Sequence, residues 1–157
     1  MNDVERLLAR EEIKETKARY CLGLDMKDHA GLAGVFTEDA SLDSTEALSV
    51  RDSATGEFDR PLSEGKVDGA AAIAKFILDS VADFRTCHQV HSPIIDFNSE
   101  DEASVLWAME DNLYSASGVP FRSLHGLGHY RETYRKVGGR WRIYKLRLTR
   151  LNVQLVE

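Results

Sequence analysis

Asp25 closes an apolar stretch, Leu22-Gly23-Leu24, and precedes Met26. An ionised carboxylate on such a face is costly unless it is paired or hydrogen-bonded. Its natural partner is a His or Arg from the sheet on which the helix packs; the alternative is a helix-end residue in water. Side chains alternate across a strand, which gives each strand pattern two candidate faces. His88 shares one with Val90, Ser92 and Ile94; Asp111 with Val105, Trp107, Met109 and Leu113; Tyr130 with Gly128, Glu132 and Tyr134. Arg150 falls with Tyr144, Leu146 and Leu148, and a slip of one residue would put Arg147 in its place. A concave sheet that collected these faces would present a mostly apolar wall, with Trp107, Met109, Leu146 and Leu148, carrying His88, Asp111, Tyr130 and Arg150. That is the make-up of a small-molecule pocket. The chemistry open to such groups is proton transfer. A histidine takes and returns protons near neutral pH, a buried carboxylate fixes its tautomer, and a Tyr or Arg polarises an oxygen.

Metal and phosphate chemistry find less support. His88 and His91 sit on a strand pattern at odd spacing, which sends their rings to opposite faces. His125 and His129 lack the helix that an i, i+4 zinc pair requires. No ligand cluster implies a metal. Gly118, Gly126 and Gly128 read as turn and strand features rather than a phosphate loop, since no strand–loop–helix context follows. Neither a metal nor a nucleotide cofactor is expected.

The 157 residues, 43% hydrophobic and 29% charged, suit one globular domain spanning 1–157. A formal charge of −6 without a basic stripe argues against nucleic acid as a partner. No apolar run reaches the roughly 18 residues of a membrane span, and the charged start resembles no export signal. A cytoplasmic address follows, with Cys21 and Cys87 as reduced thiols behaving as small apolar residues.

The elements that must position these groups are legible in outline. Ile13, Lys17, Tyr20 and Leu24 lie at helical spacing, predicting a first helix to about Leu24. Asp28 caps a short second helix burying Leu32, Val35 and Phe36. A short strand follows at Asp39–Asp43. The polar stretch Ser44–Glu64 is long for a compact domain, and reads as a lid over a site or as partly disordered. Asp68-Gly69 opens an amphipathic helix with Ile73, Phe76, Ile77 and Val81 on one face. Long strands are expected at about Thr86–Asn98, Ala103–Ala116, Leu124–Val137 and Arg140–Val153, with Asn98-Ser99-Glu100-Asp101 and Gly138-Gly139 as turns. Helices first and a meander last make an α+β domain, with helices on one face of a curved antiparallel sheet. The outer face, to which Ile95, Phe97 and Ile143 are assigned, needs cover, so a homodimer or homotrimer is expected.

Several of these stretches resemble known families. Phe84-Arg85-Thr86-Cys87-His88 with the Asn98–Glu102 turn, and Leu24-Asp25-Met26-Lys27-Asp28, are similar to the corresponding parts of scytalone dehydratases. The hairpin Thr133–Trp141 resembles that family's Gly-x-Trp turn. Arg6 through Asp25 is similar to hexachlorocyclohexane dehydrochlorinases, and the Tyr20…Asp25 spacing to bile-acid 7α-dehydratases. All are SnoaL-like members of the NTF2-like superfamily. The resemblance implies the cone-shaped fold, with helices and curved sheet enclosing a pocket. It also implies a cofactor-free lyase site in which His88 is the general base and Asp25 orients it, with Tyr20 and Arg150 completing the catalytic set. The sequence departs from scytalone dehydratases at Leu24, Ser44, Leu113 and Tyr130, where they carry a Tyr, a Tyr, a His and an Asn. Scytalone is therefore a poor match as substrate. The reading that results is a dehydratase-like lyase or an isomerase for a cyclic, largely apolar alcohol or ketone, steroid- or polyketide-like. A cyclase or ketosteroid-isomerase type using Asp25 itself as base is the second enzyme reading. A non-catalytic binding module, or an accessory protein like the dioxygenase small subunit, is the alternative of another class; it would not need His88 and Asp25 to meet.

Overall fold

A computed structural model describes residues 1–157. Three helices, α1 (Asp3–Asp25), α2 (His29–Ala33) and α3 (Ala70–Ser80), pack against a seven-stranded sheet. Its strands are β1 (Phe36–Asp43), β2 (Lys66–Asp68), β3 (Phe84–Val90), β4 (Ile94–Phe97), β5 (Glu102–Ser115), β6 (Ser123–Val137) and β7 (Arg140–Val156). They run in the order β2-β1-β7-β6-β5-β3, with β4 beside β3 on β5. Every pairing is antiparallel except β1 with β7, which is parallel. The α+β, helix-on-curved-sheet class is as expected, with that parallel pair added.

Helix α1 starts on a capping box, in which the Asn2 side chain accepts from Glu5 N–H and the Glu5 carboxylate accepts from Asn2 N–H. It buries Ala9, Ile13, Thr16, Lys17, Tyr20, Gly23 and Leu24. At Gly23 a Cβ would press on the Leu32 backbone at 3.0 Å, so the missing side chain lets α2 fold back against the end of α1. Asp28 caps α2 by accepting from Gly31 N–H, as its position predicts. In α3, Ile73, Ala74 and Ile77 are buried and Phe76 is half-buried.

The inward faces of β5 and β6 match the alternation in the sequence. The last strand does not. Trp141 and Ile143 face inward, and so do Leu146, Leu148 and Arg150. A bulge explains this: Tyr134 pairs with Ile143 and Thr133 with Lys145, leaving Tyr144 out of the ladder and shifting the side chains by one. A second bulge at Leu151 turns Val153 inward. The expected strand Thr86–Asn98 is broken after Val90, because Pro93 supplies no N–H to the ladder.

Ile95, Phe97 and Ile143 do not form an apolar outer face. Ile143 and Ile95 are buried in the core, and Phe97 packs edge-on against Trp141 beneath Arg6 of α1. Cys87 is exposed, not a core residue, while half-buried Cys21 has its thiol pushed up to about 11 by burial. No helix is long and apolar enough to cross a membrane.

Candidate functional site

The end of α1 lies over the start of β3, and there the Asp25 carboxylate is fully engaged. Oδ1 accepts from His88 Nδ1 at 2.7 Å and from Thr86 Oγ1 at 2.8 Å; Oδ2 accepts from the His88 backbone N–H at 2.9 Å. Lys27, in the left-handed region at φ 56°, reaches back to Thr86 Oγ1 at 3.1 Å. Burial opposes ionisation of Asp25, but the bonds from His88 and Thr86 outweigh it and hold the carboxyl below its ordinary pKa. An ionised Asp25 accepts at Nδ1, so the Nδ1 proton stays on the ring. In the neutral ring the bare nitrogen is then Nε2, which makes no hydrogen bond within the protein and lies 3.8 Å from Asp111 Oδ2.

That distance follows from register. His88 on β3 stands opposite Asp111 on β5, Asp111 opposite Gly126 on β6, and Gly128 opposite Arg150 on β7. Arg150 spans β6 to give Asp111 two parallel bonds, Nη1 to Oδ1 at 2.7 Å and Nη2 to Oδ2 at 2.9 Å. A Cβ at Gly126 would collide with both members of this pair, and one at Gly128 with the Thr149 carbonyl. Gly126, read from the sequence as a plain strand feature, is the gap through which the ion pair forms, and Gly128 lets β6 lie close to the β7 backbone.

A cavity of about 420 Å³ opens beside this row. Tyr20, Leu24, His88, Asp111, Tyr130, Leu146, Leu148 and Arg150 line its interior, with Phe76, Ile77 and Val81 from α3 and the turn that follows it. Tyr20 and Tyr130 meet edge to face, ring centroids 5.7 Å apart, and burial holds both hydroxyls well above the ordinary phenol pKa. Both therefore remain neutral hydrogen-bond donors. Segment 44–64 is tied to itself and to β7. Ser49 Oγ donates to the Pro61 carbonyl at 2.9 Å, Arg147 binds buried Glu46, and Arg150 Nε donates to Ala47 O at 2.8 Å. Its two ends, Ser44, Ala47 and Leu48 on one side and Ser63 and Glu64 on the other, form part of the cavity wall. A larger open hollow of about 670 Å³ on the outer face, bordered by Lys66, Asp96 and Arg131 among others, is lined by none of His88, Asp111, Tyr20, Tyr130 and Arg150.

The structure thus brings His88, Asp25, Tyr20, Tyr130, Leu146, Leu148 and Arg150 to one place, and Arg150 rather than Arg147 faces in. Three sequence assignments need correction. Trp107 does not line the cavity: its indole N–H donates to Glu132 Oε2 at 2.9 Å in a buried cluster with Tyr134 and Lys17. Met109 does not line it either; its sulfur lies 3.6 Å from Arg150 Nη1, behind the ion pair. Arg150, expected to polarise or hold a substrate oxygen, is not free to do so, because Asp111 and Ala47 occupy its guanidinium. The group that sequence reasoning placed on the right face but gave no role is Asp111. Lys17 belongs to the same region without a role assigned from the sequence: its ammonium pairs with Glu132 and sits 3.8 Å from the Tyr20 ring centroid and 3.6 Å from that of Tyr130. Its signal was a charged residue within an apolar helical face.

The fold and this pocket define a small α+β domain of the cone-shaped, NTF2-like type. The SnoaL-like domain family matches residues 5–147, and the chain belongs to that family. Among solved structures it is similar to a candidate scytalone dehydratase from Novosphingobium aromaticivorans, at 23% identity and a TM-score of 0.75, covering 98% of this chain and 91% of that one. It is also similar to a hexachlorocyclohexane dehydrochlorinase of type 3 from Novosphingobium barchaimii, at 17% identity and TM-score 0.76, covering 99% and 94%. A third is a protein of unknown function with a cystatin-like fold from Nostoc punctiforme, at 18% identity and TM-score 0.64, covering 96% and 93%. At these identities the likeness is one of fold. No curated protein sequence matches the chain.

Proposed function

We propose that the protein is a cofactor-independent lyase of the dehydratase kind, or an isomerase, acting on a cyclic, largely apolar alcohol or ketone. The carrying observation is His88: its side chain is 6% exposed, Nδ1 is held by Asp25, and Nε2 is unbonded among cavity-lining groups. In the proposed elimination, Nε2 takes a proton from the carbon next to an activating carbonyl. The C–H electron pair becomes the new double bond as the C–O bond breaks. The departing oxygen leaves with the electron pair of that bond, receives the proton back from the imidazolium, and departs as water. Asp25 stabilises the imidazolium meanwhile, and the phenols of Tyr20 and Tyr130 donate to the carbonyl or to the leaving oxygen. Returning the proton to another carbon instead would make the same site an isomerase. The names of two similar structures, a candidate dehydratase and a dehydrochlorinase, support an elimination.

The test is turnover of a panel of steroid and polycyclic hydroxyketones, followed by chromatography and mass spectrometry for loss of water or for isomers. His88→Ala should abolish conversion while the protein keeps its fold and its ligand affinity. Conversion at the wild-type rate by His88→Ala would defeat the reading. We further propose one functional domain working in the cytoplasm as a homodimer or homotrimer. Its support is the exposed set Ile94, Tyr114, Leu127 and Leu151, apolar surface that a second copy would cover. A monomer in sedimentation at micromolar concentration would count against assembly.

A further inference from the structure

The charges that line the cavity have an uneven distribution. Apart from His88, which the proposed reaction uses as a neutral base, Arg150 is the one basic side chain on the lining, and it is committed: two bonds to Asp111, one to the Ala47 carbonyl, and a side chain only 3% exposed. The mouth carries Glu64 from the end of segment 44–64, and Asp79 and Asp83 from the end of α3 and the turn beyond it. Lys75 pairs with Asp79 on the surface, whereas Glu64 and Asp83 have no basic partner. Further in, Asp111 Oδ2 lies 3.8 Å from His88 Nε2, so with the neutral ring that the proposed reaction uses, two acceptors face the reacting end of a ligand. A ligand carboxylate or phosphate would approach past like charges and find no free cation inside. To gain one it would have to displace Asp111 from Arg150. A buried charge without a partner is costly, and like charges across a low-dielectric cavity add to that cost.

We propose that the site takes uncharged alcohols and ketones and rejects anions, including carboxylates, phosphates and phosphate-bearing thioesters, with Asp111 determining this specificity by masking Arg150. The inference rests on the reading of this cavity as the substrate site, but not on the elimination step.

The test uses three ligands on one steroid ring system, a neutral ketone, a carboxylate and an amine, titrated calorimetrically into the full-length protein. The neutral ligand should bind at least about tenfold more tightly than the carboxylate, and the amine no more weakly than the carboxylate. Asp111→Asn should unmask Arg150 and raise carboxylate affinity at least about tenfold over wild type. If Asp111→Asn does not fold, the double variant Glu64→Gln/Asp83→Asn decides. Its ratio of neutral to carboxylate affinity should narrow, and the wild-type ratio should narrow as salt is raised. Carboxylate binding to wild type as tight as that of the ketone would overturn the proposal. So would a folded Asp111→Asn with unchanged preference, or a ratio indifferent to both salt and the mouth carboxylates. These readouts are affinities, so absence of turnover in the His88 experiment leaves them standing, and their failure leaves the lyase reading standing.

Discussion

Asp25 holds His88 at two points at once, the ring through Nδ1 at 2.7 Å and the backbone N–H at 2.9 Å. One carboxylate thereby ties the end of α1 to the middle of β3 and decides which nitrogen of the ring faces the cavity. Fold and reactivity are joined in a single contact.

Asp25→Asn keeps the size of the side chain but removes the charge that stabilises an imidazolium, and it can hold the ring in the other tautomer. Turnover should fall by about 10²–10⁴-fold, with the Michaelis constant much less affected. Steady-state kinetics on a converted substrate measures both. An equal loss in the two parameters' ratio through binding alone would assign Asp25 to structure only.

The same carboxyl makes stability depend on pH. Its folded pKa lies below its ordinary value because the His88 and Thr86 bonds outweigh burial. Its stabilising contribution is therefore present above the unfolded-state pKa and is lost as pH falls through the folded one. Melting temperatures of wild type and Asp25→Asn should differ most near neutrality and converge below about pH 4. A gap that stays constant down to pH 3 would contradict this.

Gly126→Ala should place a methyl between Asp111 and Arg150. Overpacking of this kind costs about 1–3 kcal/mol, and denaturant unfolding will show it. In a double-mutant cycle with Asp111→Asn the two costs should not add, because both act on one ion pair.

Lys17→Met should destabilise by about 3–5 kcal/mol, since it leaves the Glu132 carboxylate buried beside only Trp107 and Tyr134. The double variant Lys17→Met/Glu132→Gln should recover much of that loss. Urea unfolding of the two variants distinguishes a lost partner from lost packing, for which no recovery would be seen.

What the sequence determined by itself is local. The helical spacing of Ile13, Lys17, Tyr20 and Leu24, the cap at Asp28, the apolar face of α3, and the alternation through β5 and β6 all follow from periods of 3.6 and 2. Asp25 at the end of an apolar face called for a partner on energetic grounds alone, and the resemblance to SnoaL-like proteins supplied His88. What only the tertiary structure decided depends on neighbours. The bulges at Tyr144 and Leu151 arise from how β7 registers on β6, and they turn both halves of β7 inward where strict alternation separates them. Trp107 and Met109 share a face with Asp111 yet stay out of the cavity, because Glu132 and Arg150 lie against them. Arg150 carries the same formula in the sequence whether it is free or masked. Its state is set by Asp111 reaching it over Gly126, through a gap between strands that are far apart in the chain. Periodicity fixes which way a side chain points relative to its own backbone; only register across the sheet fixes what it meets.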